Sequence, residues 1–204
     1  MTPLRTAALG LLLLISAAPL TASAAFIGPY DPSRWTITLT GDVPGGGFPV
    51  GVDTSAAPAA ITIIGGDSAD PTTLCWDDNL AIPRKGCAIY YTTTAAGSGN
   101  VSFDWAYESF DNSGTAYYDI FGYVVDGVKT QLTDDSGDII QNGSVSFAVS
   151  AGQTFGFWLD CGDCSYGEAV ASIRGFSAPI PEPGTLALLG LGLAGLAATR
   201  RRKQ

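Results

Sequence analysis

Between residues 34 and 176, apolar side chains recur at every second position in short runs separated by turn residues. The run at 34–40 sets Trp35, Ile37 and Leu39 against three threonines, and the run at 101–107 places Val101, Phe103, Trp105 and Tyr107 in the same rhythm. A period of two sends alternate side chains to opposite faces of an extended chain, so each run predicts a half-buried β-strand. Further strands are expected at 117–125 and 128–133 across Asp126-Gly127, and at 145–149 and 155–159 across Ala151-Gly152-Gln153. Asp-Gly between two alternating runs predicts a two-residue hairpin, because a type I′ turn needs positive φ twice. Weaker strand patterns occupy 60–64, 87–94 and 170–176. Nine short strands with no helical period among them predict an all-β chain, an antiparallel β-sandwich of jelly-roll type. No repeat of solenoid or propeller length appears.

The two ends break this rhythm. Residues 1–25 carry one cation, Arg5, then an uncharged apolar run at 7–18, then Ala22-Ser23-Ala24-Ala25. That order predicts a secretory signal peptide, removed by signal peptidase after Ala24 or Ala25. At the other end, Pro181-Glu182-Pro183-Gly184 leads into a Leu/Gly/Ala run and closes on Arg200, Arg201, Arg202 and Lys203. The run is apolar on all sides, which suits a bilayer and not an amphipathic surface helix. A helix over 185–199 reaches roughly 22 Å, short of the roughly 30 Å hydrocarbon core. Snorkelling arginines and local thinning close that gap. The basic cluster stops translocation and stays cytoplasmic, which carries the body across the membrane. The expected organisation is a signal peptide at 1–25, a sandwich at 26–179, and a tail at 180–204 with a transmembrane helix at 185–199.

Charge narrows the partners. The chain has 10 Lys+Arg, 19 Asp+Glu and no His, a net charge of −9. Residues 26–180 alone keep 5 basic groups against 18 acidic ones, a net of −13. So acidic a body lacks the basic face that nucleic acid requires. Its electrostatics suit divalent cations, neutral glycans or basic surfaces. The absence of histidine excludes Ser-His-Asp and Cys-His nucleophiles and every His-ligated zinc site.

Four cysteines in an exported chain, Cys75, Cys87, Cys161 and Cys164, imply two disulfides with three connectivities. The local pairs Cys75–Cys87 and Cys161–Cys164 are preferred, since each closes a loop containing turn residues. A redox CxxC would need a helix N-terminus, whereas this one follows a strand beside Asp160 and Asp163, which raise thiol pKa. A zinc site of four thiolates calls for two close pairs, and Cys75 and Cys87 are twelve apart. Oxygen-rich loops at 111–114 and 134–138 bring Asp111, Asp134, Asp135 and Asp138, a donor set suited to calcium but also to ordinary turns. No other cofactor is expected. The body has two glutamates, Glu108 and Glu168, and nothing selects an acid/base carboxylate pair for sugar hydrolysis. In Tyr90-Tyr91 and Tyr117-Tyr118, adjacent strand positions face opposite sides, so one ring of each pair should point outward, where it can stack on a sugar.

The Pro181-Glu182-Pro183 tripeptide, the short Leu/Gly/Ala helix and the terminal Arg cluster resemble the PEP-CTERM sorting signal of Gram-negative bacteria, a tail also catalogued as an ice-binding protein C-terminal domain. The resemblance implies a membrane exosortase that reads Pro181-Glu182-Pro183 and processes the chain nearby. The body would then pass from an inner-membrane-anchored state to the cell surface or the extracellular space, often among exopolysaccharide and biofilm. Two prolines keep the motif extended for such an enzyme. The segment at 102–160 is similar to sandwich bodies of PEP-CTERM proteins and carbohydrate-binding modules. Flat threonine arrays would suit ice, and Thr36, Thr38 and Thr40 supply one row on one strand. The expected function is that of an exported, non-enzymatic surface or matrix protein. The alternative is a carbohydrate-binding module acting on exopolysaccharide, and a carboxylate hydrolase comes third.

Overall fold

Alternating runs extend into strands throughout the computed structural model, which describes residues 23–40, 50–66, 87–112, 114–161, 167–181, 190–195 and 199–200. The strands among them are β1 (Ser23–Ala24), β2 (Thr36–Leu39), β3 (Gly51–Asp53), β4 (Ala60–Ile64), β5 (Cys87–Thr94), β6 (Gly99–Ser109), β7 (Asp119–Val125), β8 (Val128–Gln131), β9 (Ile140–Val149), β10 (Thr154–Cys161) and β11 (Ala169–Pro179). They form two sheets, β3-β4-β11-β6-β9 with β1 added on β11, and β2-β5-β10-β7-β8. Every pairing between them is antiparallel. Renumbered one to eight from β4 to β11, the sheets read 1-8-3-6 and 2-7-4-5, the interleaved order of a jelly roll.

Each sheet turns one face inward, and the period of two decides which residues meet there. Val101, Phe103, Trp105 and Tyr107 of β6 face Phe155, Phe157 and Leu159 of β10 across a continuous core. Aromatic rings dominate it. Trp35 stacks on Tyr91 at 4.7 Å and on Phe157 at 5.5 Å, and Phe26 stacks on Phe176 at 4.3 Å. Offset and edge-on contacts of this kind stabilise by about 0.5–1.5 kcal/mol beyond the area they bury.

The structure departs from the sequence pattern in several places. Ile37 and Leu39 alternate with Trp35 but are each 48% exposed, because β2 is an edge strand paired with β5 alone and its side chains lack a neighbour on one flank. The strand expected from residue 117 starts at Asp119, and the one expected from 145 starts at Ile140. The weak patterns at 87–94 and 170–176 are β5 and β11, interior strands of the two sheets. Small and polar residues blur the pattern in both: three threonines end β5, and Ala169, Ala171, Ser172, Gly175 and Ser177 fall in β11. β1 falls inside the segment expected as signal peptide. Short 3-10 turns occupy Gly28–Tyr30 and Pro32–Arg34. Residues 190–195, 199 and 200 are helical, but no helix among the described residues is long and apolar enough to cross a membrane. Most of the expected 185–199 span, and the leader before Ser23, lie outside the described residues.

Candidate functional site

The residues that β5, β10, β7 and β8 turn away from the core build one surface. Since Ile89, Tyr91, Phe155, Phe157 and Leu159 point inward, Tyr90 and Thr92 on β5 and Gly156, Trp158 and Asp160 on β10 point outward. Register sets Thr38, Tyr90, Trp158, Gly122 and Gln131 in one row across the sheet, with Thr36, Thr92, Gly156, Val124 and Lys129 in the next. Glycine at 122 lets the Trp158 indole lie flat on the sheet, for a Cβ there would stand 2.7 Å from the indole nitrogen. The indole N–H donates to the Tyr123 carbonyl at 3.1 Å.

Lys129 covers this aromatic floor. Its Nζ lies 4.3 Å from the Trp158 ring centroid, 5.2 Å from that of Tyr90, and 3.6 Å from Asp160 Oδ2. Cation–π attraction and the ion pair thus hold one ammonium over two rings. Trp158 keeps only 4% exposure under it, while Tyr90 is half-buried. Beside this patch runs a groove of ≈ 540 Å³ lined by Arg34, Thr36, Thr92, Thr94 and Thr154 among others. Aromatic rings with hydroxyls and a cation around them suit a neutral or weakly charged polyol such as a glycan. Tyr90 is the outward member of its pair, as the sequence requires. Tyr117 and Tyr118 are both half-buried and meet edge to face at 5.1 Å outside any strand. The sequence reading passed over Trp158, although the same alternation that buries Phe157 turns Trp158 outward.

The residues expected to suit calcium carry hydrogen bonds within the protein. Asp134 accepts bonds from Ser136 N (2.9 Å) and Oγ (2.8 Å), which hold its carboxyl below the usual range. Asp135 accepts from Gln131 Nε2, and the Asp138 carbonyl accepts from Gln141 at 2.9 Å. Asp111 is buried, and its N–H donates to Ser109 Oγ at 3.2 Å. The same hydroxyl donates to Asp119 Oδ2 at 2.8 Å, and Tyr107 donates to the Asp119 carbonyl at 2.5 Å. Burial, and after it the charge of Asp119, push the Tyr107 phenol up. Asp119, 2% exposed, is an acid the sequence reading did not single out. Among the described residues no group of three or more metal-ligating side chains forms.

Cys87 and Cys161 stand opposite each other in register where β5 and β10 end, and neither is a free thiol. Cys75 and Cys164 lie outside the described residues. So do Glu182, Pro183, Arg201, Arg202 and Lys203; Arg200 is helical and exposed.

Where the last strand leaves the body, packing is close. A Cβ on Gly97 would lie 2.8 Å from the Ile180 carbonyl carbon and 3.2 Å from Pro181 N, so only glycine admits that backbone. The Tyr30 hydroxyl donates to the Pro179 carbonyl and accepts from Ala96 N at 3.0 Å.

Comparison with known proteins adds one family match. Residues 179–203 match the model of the PEP-CTERM protein-sorting motif. No curated protein matches the sequence. Among solved structures, the K1 cleaved adhesin domain of Lys-gingipain from Porphyromonas gingivalis W83 is similar at 10% identity, covering 80% of this chain and 99% of that one with a TM-score of 0.39. The N-terminal cellulose-binding domain of Cellulomonas fimi β-1,4-glucanase C gives 12% identity, 82% and 100% coverage and a TM-score of 0.36. A family 35 carbohydrate-binding module from Clostridium thermocellum gives 12%, 68%, 97% and 0.29 in the same order.

Proposed function

We propose that the protein is an exported surface or extracellular-matrix protein of a Gram-negative bacterium, sorted and cut by an exosortase, whose jelly-roll body performs no catalysis. One observation carries this reading: the PEP-CTERM motif at 179–203 begins where β11 ends, so a folded body passes without a linker into a sorting tail. Signal peptidase removes residues 1–25, and the helix at 185–199 holds the chain in the inner membrane until the exosortase acts. The disulfides are the local pairs Cys75–Cys87 and Cys161–Cys164. Fractionation of exosortase-bearing cells tests the sorting step. Glu182→Ala should strand the uncut chain in the membrane fraction, because the enzyme is expected to read that carboxylate; normal release of this variant contradicts the reading.

A second reading is that the body holds exopolysaccharide, and the outward Tyr90, Trp158 and Lys129 support it. Stacking on Tyr90 would supply affinity, and the threonine groove beside it would supply hydrogen bonds to sugar hydroxyls. The processed protein should then bind a neutral polysaccharide saturably, and Tyr90→Ala should weaken binding roughly fivefold to tenfold, about 1 kcal/mol. Binding that ignores Tyr90→Ala removes this face from consideration.

A further inference from the structure

Ser23 and Ala24 pair with Pro179 and Ala178, on the backbone that leads into the sorting motif. The other flank of β11 is closed there. It pairs with β6 as far as Ser177 opposite Ser102, and beyond that Gly97 packs against Ile180 and Pro181. On the β1 flank, β4 accompanies β11 along Val170 to Arg174. The register then shifts between Arg174 and Ser177, where Gly175 adopts a φ of 56°, and β1 takes over the edge that β4 has left. Among the described residues, two therefore pair with the last stretch of strand before Pro181 on this flank, and they are residues that leader removal after Ala24 or Ala25 takes away. Phe26, stacked on Phe176 in the core, keeps the shortened N-terminus in place, so no upstream chain remains to refill the edge.

We propose that the edge at Ala178 and Pro179 is the docking strand for the exosortase, which adds an extended segment of its own there, and that Ser23–Ala24 occupy this edge until signal peptidase removes them. The inference rests on the exosortase reading above. Strand addition holds an extended peptide through main-chain hydrogen bonds. Two residues lie between Pro179 and Glu182, so at most roughly 10 Å of chain separates the edge from the carboxylate that the enzyme is expected to read. Tyr30 and Gly97 fix the strand from the opposite side and present it rigidly. Leader removal must then precede tail removal.

Intact masses after a pulse of synthesis in exosortase-bearing cells read the order directly. The expected sequence is full chain, leader-free chain with its tail, then fully processed chain; a leader-bearing chain that has lost its tail overturns the proposal. Ala24→Leu with Ala25→Leu blocks leader removal at both candidate sites and should abolish loss of the tail. Adding Ser23→Pro, which disfavours strand pairing, should restore loss of the tail while the leader stays on. A tail lost normally from the leader-retaining chain, or still retained after Ser23→Pro, overturns the proposal. Protease resistance of the sandwich verifies that the variants fold, and the wild-type pulse stands without them. Wild-type chain that never loses its tail contradicts the exosortase reading instead.

Discussion

Tyr91 and Tyr90 are neighbours in sequence with opposite fates, and their chemistry follows from the face each takes. Tyr91 lies under Trp35 and donates to the Pro32 carbonyl at 3.2 Å; burial first, and the charge of Asp31 second, push its phenol up to about 12. A raised folded-state pKa means that the unfolded chain loses this proton first. The stabilisation is therefore complete below the ordinary phenol value near 10 and is lost as pH rises from there through about 12. Denaturant midpoints should be insensitive to this group up to pH 10 and fall above it, and Tyr91→Phe should flatten that fall. A midpoint that rises across this window contradicts the burial argument. Gly122 makes a comparable case on the outer face. Gly122→Ala forces a methyl against Trp158 and the Thr130 carbonyl, and should cost about 1–3 kcal/mol by overpacking. Indole fluorescence and a urea titration would register it together. Alternation alone could place Tyr90 and Trp158 outward. It could not supply the Lys129 ammonium above them, which depends on how far β8 runs beside β7.

The Asp126-Gly127 hairpin shows what the sequence specifies well at the level of elements. Both residues have positive φ, 47° and 80°, as a type I′ turn demands. Asp126 also ties the turn to β10, accepting from Thr154 N at 2.9 Å and Gln153 Nε2 at 2.8 Å. Asp126→Ala keeps the strained φ and leaves two solvent-exposed donors to water, so a loss of about 1 kcal/mol is expected in chemical denaturation. A neutral result would mean that the turn is set by its flanking strands. Patterning was least informative where its premise fails. β5 buries Ile89, Tyr91 and Thr93 on one face, but its tyrosine pair and threonine run blur the alternation, and edge strands such as β2 keep it without burying what it selects. β1 and β3, of two and three residues, are too short for any period to register. In the loop at 134–138, Asp134 and Asp135 accept bonds from Ser136 and Gln131 that the sequence does not specify.

At the scale of the molecule, both ends of the exported body meet at one place. Phe26 and Tyr30 pack against Phe176, and the Tyr30 hydroxyl donates to the Pro179 carbonyl, so the strand that enters the tail is locked beside the residues that follow the leader. Of leader and tail, the tail is the part that comparison bears out, because an ordered motif and a charge cluster are one-dimensional signals. Their meeting at one end of the sandwich was not legible, since it depends on pairing across more than 150 residues. The central claim is that the tail is a temporary anchor removed at the sorting motif. Intact mass of the surface protein from exosortase-bearing cells tests it most directly. The account predicts a chain beginning at Ala25 or Phe26 and lacking everything from roughly Pro183 onward, with all four cysteines oxidised. A surface protein that still carries its basic C-terminus would contradict it and leave a plain membrane anchor in its place.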